Sequence, residues 1–326
     1  MKVTKDNFRG CLFGGATADA RGYGAKSGGK DLISDNTQLT SFTLDGLVWA
    51  DDRAIRRGVY AYIPCLFYSY QKWYYTQTGN LADKSYDFIL KGEILDWEEL
   101  FARRGTGETS LNALAGSIGN KYGTLKNSIN NSNGCGGVVR VAPIGLYFWK
   151  TPEMAFRIGM ESAALTHGHI STILSAGYYA AFIAHLVSDE PPRAAAESAL
   201  ELMKNHNGHE KCSAAISKAM KLAAGAKPVS KCIEELGSGD TAEQAIAITV
   251  FIILRYRDDF QGAVSTSTGF AGNTNSVPPM VGGAMGVYLG LSAIPKKWVN
   301  NVELSDLLQY GADLLLERVD IEDNTE

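Results

Sequence analysis

Ile33-Ser-Asp-Asn-Thr-Gln-Leu-Thr-Ser-Phe-Thr-Leu-Asp-Gly-Leu-Val-Trp-Ala50 opens with three residues of the kind that cap helices and continues with apolar side chains at helical spacing. Leu39, Phe42, Thr43, Gly46, Leu47 and Ala50 recur at steps of three and four, which lays them along one face of a helix. Ser34, Asp35 and Asn36 supply side-chain oxygens for the unpaired amide protons of a first turn, so a helix starts there. The same period predicts helices around residues 53–77, 152–166, 169–187, 191–205, 209–224, 240–257, 277–291 and 303–318. Alternating stretches are too short to define a sheet, and the fold class that follows is all-α. The one linker-like run, Ser188 to Arg193 with Pro191 and Pro192, is too short to separate a pair of domains, so residues 1–326 are expected to form a single domain.

The 31 Lys and Arg against 35 Asp and Glu leave a net charge of −4, and no basic surplus marks a nucleic-acid or membrane partner. Met1 to Gly10 is charged and lacks the apolar core of a secretory signal, so a cytoplasmic location is expected. The longest apolar stretches, Ala245 to Leu254 and Ser171 to Val187, fall short of the roughly 20 residues that span a bilayer and read as core helices. Five cysteines, with no CxxC pair, argue against a disulfide frame or a structural zinc. Glycine concentrates in segments 14–29, 105–119, 134–145 and 262–290, where the backbone is expected to turn tightly or to approach something closely.

Gly24-Ala-Lys-Ser-Gly-Gly-Lys30 nearly spells a phosphate-binding loop, but Asp31 stands where Ser or Thr would hold magnesium and no buried strand precedes it. A plain loop is the expectation. His167 and His169 read as a metal or acid–base pair in spacing, but two apart on a helix they would point to different faces, so one of them rather than both is expected to matter, as a ligand contact or as a local cap. His185, His206 and His209 read as structural or exposed. Cys135, in Gly134-Cys-Gly-Gly137, would need a nearby base to act as a nucleophile. The aromatic run from Tyr60 to Tyr75, with Tyr62, Phe67, Tyr68, Tyr70, Trp73 and Tyr74 inside it, is either helix packing or a recognition surface.

Four separated blocks resemble the ADP-ribosylglycohydrolase family. Phe8-Arg-Gly-Cys-Leu-Phe-Gly-Gly-Ala-Thr-Ala-Asp-Ala-Arg-Gly22 is similar to the family's opening helix, and Ile33-Ser-Asp-Asn-Thr-Gln-Leu-Thr40 to its Ser/Thr-Asp-Asp-Thr-Gln-Met signature. Arg104-Gly-Thr-Gly107, Asn133-Gly-Cys-Gly-Gly-Val-Val-Arg-Val-Ala-Pro-Ile-Gly145 and Thr166-His167 resemble its glycine-rich loop, Arg-Val-Ala-Pro segment and Thr-His pair. Gly272-Asn-Thr-Asn-Ser276 followed by Gly282-Gly-Ala-Met-Gly286 resembles its Gly-Asp-x-Asp-Ser/Thr signature and glycine helix. The resemblance implies an all-α fold around a two-magnesium cleft.

It also implies metal ligands at both aspartates of the second block, both of the fourth, and a glutamate shortly after the first. Here those positions read Asp35, Asn36, Asn273, Asn275 and, by spacing from Asp19, Lys26, with Ser34 and Ser276 flanking them. Magnesium is a hard cation held by carboxylate oxygens, and asparagine offers a carbonyl oxygen without charge, so no cofactor is expected unless the site still takes magnesium. A Lys26 ammonium in the cleft would repel a metal and could stand where a cation stood, paired with Asp35. The same resemblance places contacts to ADP-ribose at Gly134, Cys135, Gly136, Gly137, Arg140 and His167, beside Asp35, Asn36, Asn273 and Asn275. The family often has Asn where Cys135 stands.

The expected function is that of a protein on this fold which has lost metal-dependent hydrolysis and acts by binding, since some relatives are immunity proteins against ADP-ribosyltransferase toxins. Its partner would be such a toxin or an ADP-ribosylated protein. The alternatives are an active hydrolase removing ADP-ribose from protein side chains, with Asp35 as base or ligand, and an ADP-ribose sensor without chemistry.

Overall fold

A computed structural model describes residues 4–24, 31–105 and 107–321, and among these it contains helices and no strand. The order is α1 (Lys5–Gly24), α2 (Asp35–Arg57), α3 (Tyr62–Thr78), three 3-10 turns between Lys84 and Phe101, α4 (Glu108–Ala115), α5 (Gly136–Val139), α6 (Ala142–Tyr147), α7 (Pro152–Ala164) and α8 (Ile170–Val187). Then follow α9 (Pro192–Lys204), α10 (Glu210–Ala224), α11 (Val229–Leu236), α12 (Ala242–Arg255), α13 (Phe260–Gly269), α14 (Val277–Leu289), α15 (Lys296–Asn301) and α16 (Ser305–Ile321). One continuous apolar core runs through them.

Ser34 caps α2 as its sequence predicts, accepting the Asn36 amide proton at 3.1 Å. The helix expected over 53–77 is two helices. Gly58, at φ 68°, ends α2 in the left-handed conformation, and α3 starts four residues later. Sixteen of the eighteen residues of α8 are buried, as expected of a core helix. In the aromatic run Phe67, Tyr70 and Trp73 are buried, Tyr60 is exposed and the rest are partly covered, so most of the run is packing.

α1 shows no amphipathic stripe, because thirteen of its twenty residues are buried on all sides. It lies against α14 along a seam of glycines four apart on each helix. A Cβ on Gly10 would stand 2.1 Å from the Gly286 carbonyl oxygen, and one on Gly14 2.2 Å from that of Gly282. The two backbones therefore touch directly. At the far end a Cβ on Gly22 would meet the Thr274 carbonyl at 2.1 Å, which sets the 272–276 loop on the C-terminal turn of α1.

Asp19, fully buried near that turn, joins α1 to the start of α2. Its carboxylate accepts the Ser34 amide at 2.8 Å, the Ser34 hydroxyl at 2.6 Å, the Thr37 hydroxyl at 2.6 Å and the Thr37 amide at 3.3 Å. Asp19→Ala leaves those four donors unpaired in the core and is expected to cost about 3 kcal/mol in urea denaturation. A loss under about 1 kcal/mol would show that the network carries no stability.

Candidate functional site

The N-terminus of α2 is the centre from which the site is built. Asp35 and Asn36 occupy its first turn, and the Asn36 side-chain amide donates to the Asn275 carbonyl at 3.0 Å. The 272–276 loop is thereby tied to α2. Within that loop the Asn273 side-chain oxygen accepts the amides of Asn275 (3.2 Å) and Ser276 (2.9 Å), while its amide group donates to Gly239 O at 3.0 Å. Asn273 thus shapes the entry to α14, and its carbonyl oxygen is spent on the backbone.

The Asn273 amide group also lies 3.7 Å from the Cys135 sulfur, which brings in the glycine-rich segment. Cys135 is buried, and its thiol donates toward Gly239 O at 3.5 Å. Burial, then the charge of Asp240, pushes its pKa up to about 12, so it stays protonated and is no nucleophile. Gly136 and Gly137 open α5 against His167: Cβ atoms there would come within 3.3 Å of the ring. The second, fourth and third blocks of the sequence therefore meet side by side, at the place where the resemblance puts its cleft.

His167 and His169 do not share a helix, contrary to the sequence reading. They lie on the turn between α7 and α8, where His169 caps α8 by accepting the Ser171 amide at 3.1 Å. His167 is the histidine at the cleft, with Nδ1 2.8 Å from Thr166 Oγ1. Burial, aided by the Arg140 charge, lowers its pKa to about 3 and keeps the ring neutral. Of the other histidines, His185 sits 2.7 Å from Glu190, an acidic partner that sequence spacing did not suggest, His206 stacks on Phe156, and His209 contacts Ser213.

Arg140 departs from its expected place. It is fully buried, stacked 4.1 Å over the Tyr70 ring and bonded to Ser162 O (2.9 Å) and Thr166 Oγ1 (2.8 Å). Tyr70, Ser162 and Thr166 enclose it, and burial there lowers its pKa, so it is not open to a ligand.

Asp35 is half-buried, with Gly105 and Gly107 against its carboxylate. A Cβ on Gly105 would fall 2.1 Å from its Oδ1 and one on Gly107 3.1 Å from its Oδ2, and both glycines have positive φ. Only glycine lets the 104–107 loop come so near the carboxylate. Arg104 fastens the loop by pairing with Glu303 (Nη2 to Oε1 2.7 Å) and donating to Ile33 O at 3.3 Å. Among the described residues Asp35 has no ion-pair partner; Lys26 and the rest of the segment 25–30, most of the near-miss phosphate loop, lie outside them. Burial, then the neighbouring charge of Asp19, raises the Asp35 pKa to about 7.

A raised carboxylate pKa fixes the sign of a pH effect. The stability is full below the unfolded value of about 4, and it is lost as pH rises through the folded value of about 7. Asp35→Asn is expected to abolish that slope and to stabilise the protein at pH 8 by on the order of 2 kcal/mol, after allowance for the solvent that reaches the group. Denaturation midpoints of wild type and variant at pH 5 and pH 8 check this; equal differences at both values would sink it.

Sequence reasoning missed Asp19 as the second carboxylate beside Asp35. Its signal was an acid alone in the Ala-rich run Ala16–Ala20. A cavity of about 570 Å³ opens elsewhere, between the later turns of α2 (Leu44, Trp49), Trp97 and α16 (Tyr310), and holds none of the cleft residues.

The family model described as ADP-ribosylglycohydrolase matches residues 1–324. A solved chain described as "ADP-ribosylglycohydrolase-related protein complex" superposes with a TM-score of 0.59 at 18% identity, covering 98% of this chain and 100% of that one, a likeness of fold. No curated protein matches the chain.

Proposed function

The chain belongs to the ADP-ribosylglycohydrolase family, and we propose that it uses the family's fold to bind rather than to hydrolyse. One observation carries this reading: of the positions that would hold two magnesium ions, the described ones offer a single carboxylate, Asp35, and the Asn273 oxygen is already occupied by two backbone amides. Among the described residues no three His, Cys, Asp or Glu side chains converge as a metal site. This donor set does not fit a pair of divalent ions, which need several charged oxygens to offset the loss of their water.

The partner we assign is an ADP-ribosyltransferase toxin, occluded by a protein of the fold that otherwise handles its product. Mixing the two and running size-exclusion chromatography should give a stoichiometric complex, while an ADP-ribosylated substrate with magnesium should keep its modification. Removal of ADP-ribose at catalytic protein concentration would overturn the reading in favour of an active hydrolase, and absence of any complex would remove the toxin from it.

A second reading, an ADP-ribose sensor, is favoured by the glycines that still pack on His167. Backbone amides of such a loop suit phosphate oxygens. Calorimetry with ADP-ribose separates the two, since occlusion of a toxin needs no affinity for the nucleotide.

A further inference from the structure

We propose that Arg140 is a positioning residue which, through Thr166, holds His167 as the Nε2–H tautomer, so that the ring offers a hydrogen-bond donor, not a base, to the cleft. The placement of protons requires it. A guanidinium can only donate, and the two hydrogens of Arg140 Nη2 go to Ser162 O at 2.9 Å and Thr166 Oγ1 at 2.8 Å. Thr166 Oγ1 therefore already accepts one bond.

Its remaining neighbour is His167 Nδ1 at 2.8 Å. Were Nδ1 to carry a proton and donate it, the hydroxyl would receive two donors and its own proton would need a third partner. Among the described residues there is none, and Thr166 is fully buried. The hydroxyl proton must therefore point at Nδ1, and a bond from a cation into the same oxygen strengthens that donation. A neutral imidazole that accepts at Nδ1 carries its proton on Nε2. An unpaired buried hydroxyl is costly enough to favour this tautomer roughly tenfold or more.

The ring's orientation gives the proton a use. Nε2 is the edge near the glycine loop, since a Cβ on Gly136 would lie 3.4 Å from it and one on Gly134 3.7 Å, and it has no partner among the described residues. An acceptor oxygen seated on that loop would meet an N–H. A proton-abstracting role would need a lone pair there, so any water activated in this cleft must find its base elsewhere. The nature of the acceptor rests on the reading of the cleft as an ADP-ribose site; the tautomer does not. Arg140 bears on the ligand indirectly, as a fixed buried cation whose Nε and Nη1 have no protein partner among the described residues.

Two-bond ¹H–¹⁵N spectra of the full-length protein labelled in its histidines test this, with His167→Gln identifying the signals. The expected result is the Nε2–H pattern for His167, unchanged between pH 5.5 and 8. Thr166→Val keeps the shape and removes the relay, and should raise the Nδ1–H fraction at least severalfold; Thr166→Ser should restore the wild-type pattern. Arg140→Met should act like Thr166→Val, and the Thr166 pair decides the matter should that variant not fold. An Nδ1–H pattern in the wild type, or a Thr166→Val spectrum identical to it, overturns the proposal. Calorimetry with ADP-ribose on the same samples keeps the two questions apart: an intact Nε2–H pattern without nucleotide binding supports the relay and sinks the sensor reading alone.

Discussion

Equilibrium dialysis against micromolar magnesium chloride is expected to leave the purified protein with far less than one equivalent of metal, and replacing Asn36, Asn273 and Asn275 by aspartate is expected to raise the uptake. The attraction between a carboxylate and a metal about 4 Å away is on the order of 4 kcal/mol per unit of metal charge at intermediate dielectric, and each asparagine forgoes it. The substitutions differ in what they cost. Asn273→Asp keeps an acceptor for the amides of Asn275 and Ser276 but loses the amide group's bonds to Gly239 O and Cys135 and sets an oxygen against the Gly239 carbonyl. Asn36→Asp turns a donor toward Asn275 O into a repelling oxygen, so its gain depends on a cation being present to bridge them. Asn275→Asp adds charge on the same loop. Since desolvation consumes much of the Coulomb gain, about a hundredfold increase in magnesium affinity for the triple variant is the expected size. Stoichiometric magnesium on the wild type at micromolar concentration would revive the hydrolase reading, and Asp35→Ala should then abolish both uptake and turnover.

Helices with one dry face announce themselves by their period. α2, α7, α9, α10 and α16 each alternate buried and open positions, so their periods are legible in Leu39 to Ala50 or in residues 303–318. α8 and α12, buried on most sides, are legible from their long apolar runs, whereas α1, whose buried positions are mostly Gly, Ala, Thr and Asp, is legible only through its resemblance. The short α5 and α6 escape for another reason: Gly136, Gly137 and Pro143 look like loop residues until the packing against α8 holds them. In the site, the blocks that the resemblance singled out are brought together through Asn36 with Asn275 and Asn273 with Cys135. Direction was not legible. Arg140 reads as an anion contact in one dimension, yet Tyr70 and Thr166, 70 and 26 residues away in sequence, turn it inward. Asp19 was hidden likewise, since its four donors come from a different helix.

Gly14→Ala is expected to destabilise the protein by at least about 2 kcal/mol, against the ordinary rule that alanine improves a helix by up to about 1 kcal/mol. The added methyl would sit 2.2 Å from Gly282 O and 3.2 Å from Gly286 Cα, more than about 1 Å short of contact with the oxygen. Its neighbours are backbone, so no side chain can swing aside; α1 and α14 must separate or shift. Gly269→Ala is the control, for it also lies on a helix, has an ordinary φ and would meet nothing within 4 Å. It should be neutral or slightly stabilising. Separation of the seam has a consequence beyond stability, because the 272–276 loop rests on α1 at Gly22 and reaches α2 through Asn275 and Asn36. Gly14→Ala should therefore loosen the cleft before it unfolds the core, seen as faster amide exchange at Asn275 and Ser276 than in α8. Equal denaturation midpoints for Gly14→Ala and Gly269→Ala would refute the backbone seam, and undisturbed exchange in the 272–276 loop would refute its link to the cleft.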